Sequence, residues 1–275
     1  MGAAIRGLLV AVLISMPALM LPGVIVDSSQ ITVLVALLAA LLTFIEYNSS
    51  FPSLVEFRDA PPFNRLRFAG VFVTVFALSG IMKGQIEPGI TTAMLTSVGT
   101  ILGNAIDFPF SPVRLAVLML PEYADQALID TVRSLAGLAY AVSVITMLTF
   151  FVLVRFLGWP TRNGAFNVWV NLPLFDPTAG GDVVYRLQRD ARLNIAIGFL
   201  LPFLIPALVK AAASLIDPGT LNNPQTLIWT ISAWAFLPAS MIMRGIAMGR
   251  IANLVQYKRR RAYADAHAEG DYQAA

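Results

Sequence analysis

The chain has 275 residues, of which 57% are hydrophobic and 13% are charged, and its mean hydropathy is +0.72. Because soluble domains carry about 25% charged residues, this composition excludes a soluble globular protein and a disordered one. The chain has no Cys and a single His, His267, in its polar tail. This excludes disulfides, iron–sulfur clusters, His-rich zinc sites and a haem held by an intramembrane imidazole. We therefore expect no cofactor.

Six apolar runs are long enough to cross a bilayer, because a hydrocarbon core of about 30 Å needs roughly 20 helical residues. They cover residues 6–26, 30–47, 66–82, 132–157, 193–215 and 227–248, with a short turn at 27–29 between the first two. Prolines in the last two runs predict kinks, at Pro202, Pro206 and Pro238. The sequence predicts an all-α, polytopic integral membrane protein, with one transmembrane domain over 1–249 and a basic, then polar, tail over 250–275.

Residues 88–121 do not fit the pattern of a spanning helix. An apolar stretch over 90–106 is followed by a Pro-rich bend at 107–112 and by a second apolar stretch, 113–120, which is too short to span. We predict a re-entrant or interfacial helical hairpin here. Such a hairpin is tolerated at membrane depth only where protein or water covers its free backbone groups.

The distribution of basic residues predicts how the chain is threaded. With an internal amino terminus and six spans, most of the 19 Lys and Arg residues lie on one side, which is the cytoplasmic side by the positive-inside rule. Both termini are then cytoplasmic, and the hairpin segment crosses the membrane either twice or not at all. Since no organelle-targeting leader is evident, we expect a multi-pass protein of a bacterial inner membrane.

Two basic segments are expected to contact anionic lipid headgroups on the cytoplasmic side. Residues 182–192 form a candidate amphipathic helix, either lying on the membrane with its apolar face in lipid or extending the fifth span. Its arginines recur every three residues, and a second cluster follows the last span; the expected headgroup contacts are Arg186, Arg189, Arg192, Lys258, Arg259, Arg260 and Arg261. Nucleic acid is not an expected partner.

Few ionisable residues fall at membrane depth, where a charge must be paired or hydrated. Asp107 and Arg114 flank the bend of the hairpin and are close enough in sequence to pair, and Lys210 lies near the outer end of the fifth span. These three form the candidate intramembrane polar site. Arg155 and Arg244 lie near inner helix ends, where we expect their side chains to reach the headgroups.

Small residues at four-residue spacing predict close helix packing. Two such seams occur, one in the hairpin with Gly99 and Gly103 and one at the end of the last span with Gly245 and Gly249.

Three hypotheses for function follow. The first is a non-catalytic accessory or scaffold subunit that packs against a membrane-protein partner or a second copy. The second is a channel or secondary transporter whose hairpin carries Asp107 and Arg114. The third is a lipid-processing enzyme that holds phosphate with loop arginines; we rank it last, because the chain has no Gly-rich phosphate loop, catalytic triad or HExxH motif.

Overall fold

The computed structural model describes residues 2–23, 26–121, 123–160, 166–176, 178, 180–211 and 223–273. These residues form helices without any strand. In chain order the helices are α1 (Ala3–Met20), α2 (Val26–Asn48), α3 (Phe63–Ile86), α4 (Ile90–Ile106), α5 (Pro112–Val117), α6 (Gln126–Phe156), α7 (Val168–Asn171), α8 (Val183–Ala211) and α9 (Pro224–Gln273).

Six of these helices are long and apolar enough to cross a membrane, namely α1, α2, α3, α6, α8 and α9. The prediction of an all-α polytopic membrane protein is therefore confirmed. The expected spans fall within these helices except at three places. The fourth span was expected to reach residue 157, but α6 ends at Phe156. The end of the fifth span, 212–215, lies outside the described residues, and the first turn is displaced.

The turn between α1 and α2 comes earlier than predicted. The first run was expected to reach residue 26, but α1 ends at Met20 and α2 already begins at Val26. The reason is the Pro22-Gly23 pair: proline cannot continue the backbone hydrogen-bond ladder, and Gly23 adopts a positive φ of 76°. The predicted turn residues, 27–29, lie inside the first turns of α2.

The two ends of the bundle differ in charge. We call the basic end the one at which α1, α3 and α8 begin and α2 and α6 end, and the far end the opposite one.

Helices α3, α6 and α9 form the centre, with Leu78, Leu135 and Trp234 fully buried between them. The Trp234 indole donates a hydrogen bond of 3.1 Å to the carbonyl of Pro202 in α8. That carbonyl has lost its helical donor, because the residue four positions later is Pro206.

Both ends of α4 lie at the far end of the bundle. Gln85, just before α4, donates to the Thr131 hydroxyl at 2.7 Å, and Asp107, just after it, accepts from Arg133 at 2.7 Å. Thr131 and Arg133 are on the same turn of α6, so the two ends of α4 lie at the same level of the bundle. The short helix α5 then inserts fully buried apolar side chains, including Val113, between α6 and α8.

Two loops close the basic end by folding onto each other. Phe57 of the first loop donates its backbone N–H to the Asn171 carbonyl at 2.7 Å, and the Trp159 indole of the second donates to the Ala60 carbonyl at 3.1 Å. The aromatic rings of Phe57, Phe63 and Trp159 pack against one another beneath the two loops. This aromatic cluster fixes the loops over the start of α3, the end of α6 and the middle of α9.

Residues 182–192 belong to α8 and do not form a separate surface helix. Helix α8 is continuous from Val183 to Ala211, which corresponds to the alternative of an extended fifth span. Its apolar stripe was expected to face lipid, but Val184, Leu187 and Ala191 are buried against α9. The tail is likewise helical, because α9 runs without a break from Pro224 to Gln273.

Candidate functional site

The residues of the predicted hairpin site meet in an ion-pair network. Asp107 lies between two guanidinium groups, with Oδ1 2.6 Å from Arg114 Nε and Oδ2 2.7 Å from Arg133 Nε. Arg133 also pairs with Asp130 of its own helix. The Asp107 side chain is only 6% exposed. The network joins the bend of the hairpin to the first turns of α6.

Lys210 does not belong to this network. Its ammonium group lies 3.5 Å from the carbonyl of Leu120, just beyond α5. In the described part of the chain, no hydrogen bond or ion pair joins Lys210 to Asp107 or Arg114. Of the three predicted residues, Asp107 and Arg114 therefore form an ion pair, and Lys210 makes a separate contact.

Replacing Asp107 with Ala should lower the free energy of unfolding by about 2 kcal/mol, because it leaves Arg114 and Arg133 without their shared carboxylate. Arg133 keeps Asp130 as a partner, which limits the loss. Denaturant titration of the purified protein in detergent measures the effect. Asp125→Ala, which removes only an exposed helix cap at Leu128, provides a milder comparison of about 1 kcal/mol. Equal losses in the two variants would contradict a structural role for the network.

The glycines of the two predicted small-residue seams differ in how closely a neighbouring helix approaches them. Gly99 and Gly103 face α6, where a Cβ on Gly103 would lie 2.7 Å from the Arg133 carbonyl oxygen. At the second seam, a Cβ on Gly245 would lie 2.7 Å from the Ala191 carbonyl oxygen, whereas one on Gly249 would meet only the Ala191 side chain at 3.7 Å. Gly245 therefore sets the approach of α8 and α9, and Gly249 does not.

This difference predicts that Gly245→Ala lowers stability by about 2 kcal/mol through overpacking, while Gly249→Ala changes it by less than about 0.5 kcal/mol or raises it slightly. Thermal unfolding of both variants in one detergent makes the comparison. Similar melting temperatures for the two variants would show that α8 and α9 do not approach each other closely at Gly245.

Several of the arginines expected at lipid headgroups bind protein groups. Arg186 donates to the Asp176 carbonyl at 2.8 Å and lies over the ring of Phe175. Arg259 donates to Asp182 at 2.9 Å and so joins the tail to the start of α8. Another four are exposed: Arg189, Arg192, Lys258 and Arg260, of which Arg189 lies 3.4 Å from Asp190. Arg261 lies 4.0 Å from Asp265.

The contact between Asp182 and Arg259 should depend on pH. The hydrogen bond from Arg259, together with the Val184 N–H, holds the pKa of the Asp182 carboxyl below its usual range. A lowered pKa means that the carboxylate form stabilises the docked tail at neutral pH and that this stabilisation is lost as the pH falls through the lowered pKa.

We expect a narrow distance distribution at neutral pH between spin labels at Gly180→Cys and Ala262→Cys, and a broad one in acid. In the Asp182→Asn background the distribution should be broad at every pH. A distance distribution that is narrow in that background as well would contradict the tail contact.

Sequence reasoning missed a buried polar cluster at the basic end. Glu46, in the last turn of α2, accepts hydrogen bonds of 2.9 to 3.1 Å from the backbone N–H groups of Ser53, Leu54 and Val55. The Ser53 hydroxyl donates to the same carboxylate at 2.6 Å. A buried carboxylate thus organises the start of the first loop.

A second carboxylate of this cluster holds Arg244. Glu56 accepts two hydrogen bonds from its guanidinium, at 2.5 and 2.7 Å, and the Glu56 side chain is only 9% exposed. The expectation that Arg244 reaches the headgroups is therefore wrong, because a bidentate partner lies within the protein. Arg67 is beside this pair, and its Nε atom is buried without a hydrogen-bond partner.

Two adjoining cavities open on this cluster. One has a volume of about 730 Å³ and is lined by charged groups that include Arg6, Arg58 and Arg65. The other has a volume of about 500 Å³ and reaches Arg67 and Arg244. Among the described residues no group of three His, Asp or Glu side chains is close enough to hold a metal ion.

Helix α2 has a large uncovered surface. It packs on α1 and on no other described helix. The face opposite α1 carries a row of exposed apolar side chains, which we call the outer α2 face: Ile31, Leu34, Leu38, Leu41 and Ile45. Their spacing alternates between three and four residues, so they form one continuous stripe along the helix.

The fold and these surfaces define the class of the protein as an all-α, multi-pass membrane protein with a polar cluster at one end of its bundle. Comparisons with models of known families, with curated proteins and with solved structures find no match to this chain.

Proposed function

We propose that this protein is a non-catalytic accessory subunit of a membrane complex and that it binds its partner through the outer α2 face. The observation that carries the proposal is the contrast between α2 and the other spans. Among the described helices α2 packs on α1 alone, and each residue of its outer face is at least 50% exposed.

The pattern on this face fits a second helix. Lipid places no constraint on spacing, whereas two helices packed at a shallow angle need apolar residues that repeat every three and four positions. Ile31, Leu38 and Ile45 occupy one heptad position, and Leu34 and Leu41 occupy the other. Such a stripe matches the seam between two helices that cross at a shallow angle. The partner accordingly offers one transmembrane helix to this face.

In this proposal the protein lies in a bacterial inner membrane with its basic end and both termini in the cytoplasm. The basic end carries Arg6, Arg65, Arg155 and Arg250, as the positive-inside rule requires of a cytoplasmic face. Anionic lipids surround this end and contact the exposed residues of the tail.

Site-specific photo-crosslinking tests the proposal. A benzophenone amino acid placed at Leu34, Leu38 or Leu41 should give one discrete protein adduct in native membranes. The matched control positions are Leu200 and Leu204, which are comparably exposed on α8 and should crosslink only to lipid.

The identity of the adduct then separates the possible partners. An adduct with twice the mass of the chain would show that the partner helix comes from a second copy. The protein would then associate with itself and not with a different protein. Equal protein adducts from α2 and α8, or lipid adducts alone from all positions, would overturn the proposal.

The other two hypotheses have weaker support. Transport calls for a polar cavity that touches Asp107, Arg114 or Lys210, but these residues do not line the cavity of about 830 Å³ at the far end, nor either cavity of the basic end. An enzyme calls for free carboxylates beside Arg162, Arg186, Arg189 and Arg192, of which Arg162 lies outside the described residues. The described neighbours Asp176, Asp182 and Asp190 are engaged by Thr178, Arg259 and Arg189.

A further inference from the structure

We propose that the two cavities at the basic end form a binding site for a phosphate group, supplied by the headgroup of one anionic phospholipid. This site is separate from the outer α2 face and from the exposed residues of the tail. It is built by α1, α2, α3 and α9 together with the first loop.

The site has more guanidinium groups than carboxylates, and this excess of positive charge favours binding an anion. Arg6, Arg65 and Arg67 line the cavities, and within the described residues none of them has a carboxylate within ion-pair distance. The two nearby acids are already engaged, Asp59 by Arg58 and Glu56 by Arg244. An anion in the cavities would therefore find unpaired guanidinium groups.

Arg67 is the residue that most needs a ligand. Its Nε donor is buried without a partner, and its guanidinium lies 5.3 Å from the ring centre of Phe63. A buried unpaired donor destabilises a protein, and phosphate oxygens satisfy arginine donors with good geometry. Arg6 is held at the mouth of the site, with its guanidinium 4.0 Å from the ring centre of Tyr47.

The shape of the site fits a lipid better than a free ion alone. The two cavities share wall residues of α1, α2 and α3, namely Val10, Thr43, Tyr47, Asn64 and Phe68, so they adjoin each other along these helices. Helices α2 and α3 do not pack on each other, which leaves the space open between them at the side of the bundle.

The depth of the site also matches a phospholipid. Arg6 and Arg67 lie about one turn inside the beginnings of α1 and α3, the level at which lipid phosphates meet spanning helices. Apolar side chains of Leu9, Val10 and Leu237 continue the lining. They provide a surface for the acyl chains below the headgroup.

Native mass spectrometry of delipidated protein in detergent, titrated with phosphatidylglycerol or phosphatidylcholine, tests the proposal. We expect one phosphatidylglycerol to bind each chain at least tenfold more tightly than phosphatidylcholine. Arg67→Gln should weaken phosphatidylglycerol binding about tenfold, since it removes a charge-assisted hydrogen bond. The double variant Arg6→Gln/Arg65→Gln, at the more accessible edge of the site, should do the same if Arg67→Gln does not fold.

Arg155→Gln is the matched control. Arg155 is an exposed arginine at the same end of the bundle and lies outside both cavities. A side chain that only reaches the surrounding headgroups holds no single lipid, so its replacement should leave the binding of one tight phosphatidylglycerol per chain unchanged. A second experiment adds millimolar inorganic phosphate to the delipidated protein. If the natural ligand is a free phosphate, this addition should raise the melting temperature by as much as the lipid does. Equal binding of the two lipids without any effect of phosphate, or an equal loss in Arg155→Gln, would overturn the site.

Discussion

Replacing Glu56 with Ala is expected to lower the free energy of unfolding by about 3 to 4 kcal/mol, the largest effect of any single substitution at the basic end. The variant loses two charge-assisted hydrogen bonds to Arg244. It also leaves Arg244 and the neighbouring Arg67 without a nearby carboxylate in a half-buried site. Removing one partner of a buried ion pair is strongly destabilising, because the remaining charge is desolvated without compensation.

Denaturant titration in mixed micelles measures this loss. Glu56→Gln should give an intermediate value, since the amide keeps the shape of the side chain and one acceptor. The control is Lys83→Ala, which breaks the exposed pair between Lys83 and Glu87 and should change stability by less than about 0.5 kcal/mol. If Glu56→Ala were no more destabilising than Lys83→Ala, the polar cluster would not hold the first loop.

Replacing Gly137 with Ala is expected to lower stability by about 3 kcal/mol through overpacking and to displace α4 from α6. A Cβ at Gly137 would lie 2.4 Å from the Cα and the backbone nitrogen of Gly103. Backbone atoms cannot move aside as a flexible side-chain end can, so the two helices must separate. This separation would also strain the pairing of Asp107 with Arg133 across the same interface.

Two measurements separate this effect from a general loss of folding. Denaturant titration gives the change in stability, and hydrogen exchange shows whether protection is lost first in α4 and at the hairpin bend. Gly180→Ala is the control, because a Cβ there would meet nothing within 4 Å. An unchanged stability of Gly137→Ala would mean that α4 does not cross α6 at these glycines.

The six spans follow from sequence because an apolar run of bilayer length is a strong physical signal. The turn between α1 and α2 lies at the Pro22-Gly23 pair, whereas the polar residues at 27–29, which predicted it, are helical. The amphipathic stripe of residues 182–192 fits a helix on the membrane surface and an extension of the fifth span equally well. In the structure α9 covers that stripe.

The polar sites were predictable only where the partners are close in sequence. The pairing of Asp107 with Arg114 followed from a separation of seven residues, whereas Arg133 is on another helix. Glu56 and Arg244 are 188 residues apart, and no local pattern connects them. One signal was present: acidic residues Glu46, Glu56 and Asp59 and basic residues Arg58, Arg65 and Arg67 are concentrated in and around the first loop.

The protein mass of the particle extracted from native membranes in polymer-bounded discs tests the proposed function most directly. We expect the wild-type particle to contain protein beyond the 29.7 kDa of one chain. The triple variant Leu34→Ala/Leu38→Ala/Leu41→Ala should give the single chain, and the matched variant Leu200→Ala/Leu204→Ala/Leu208→Ala on α8 should keep the larger mass. A wild-type particle that contains one chain alone would contradict a subunit docked through α2.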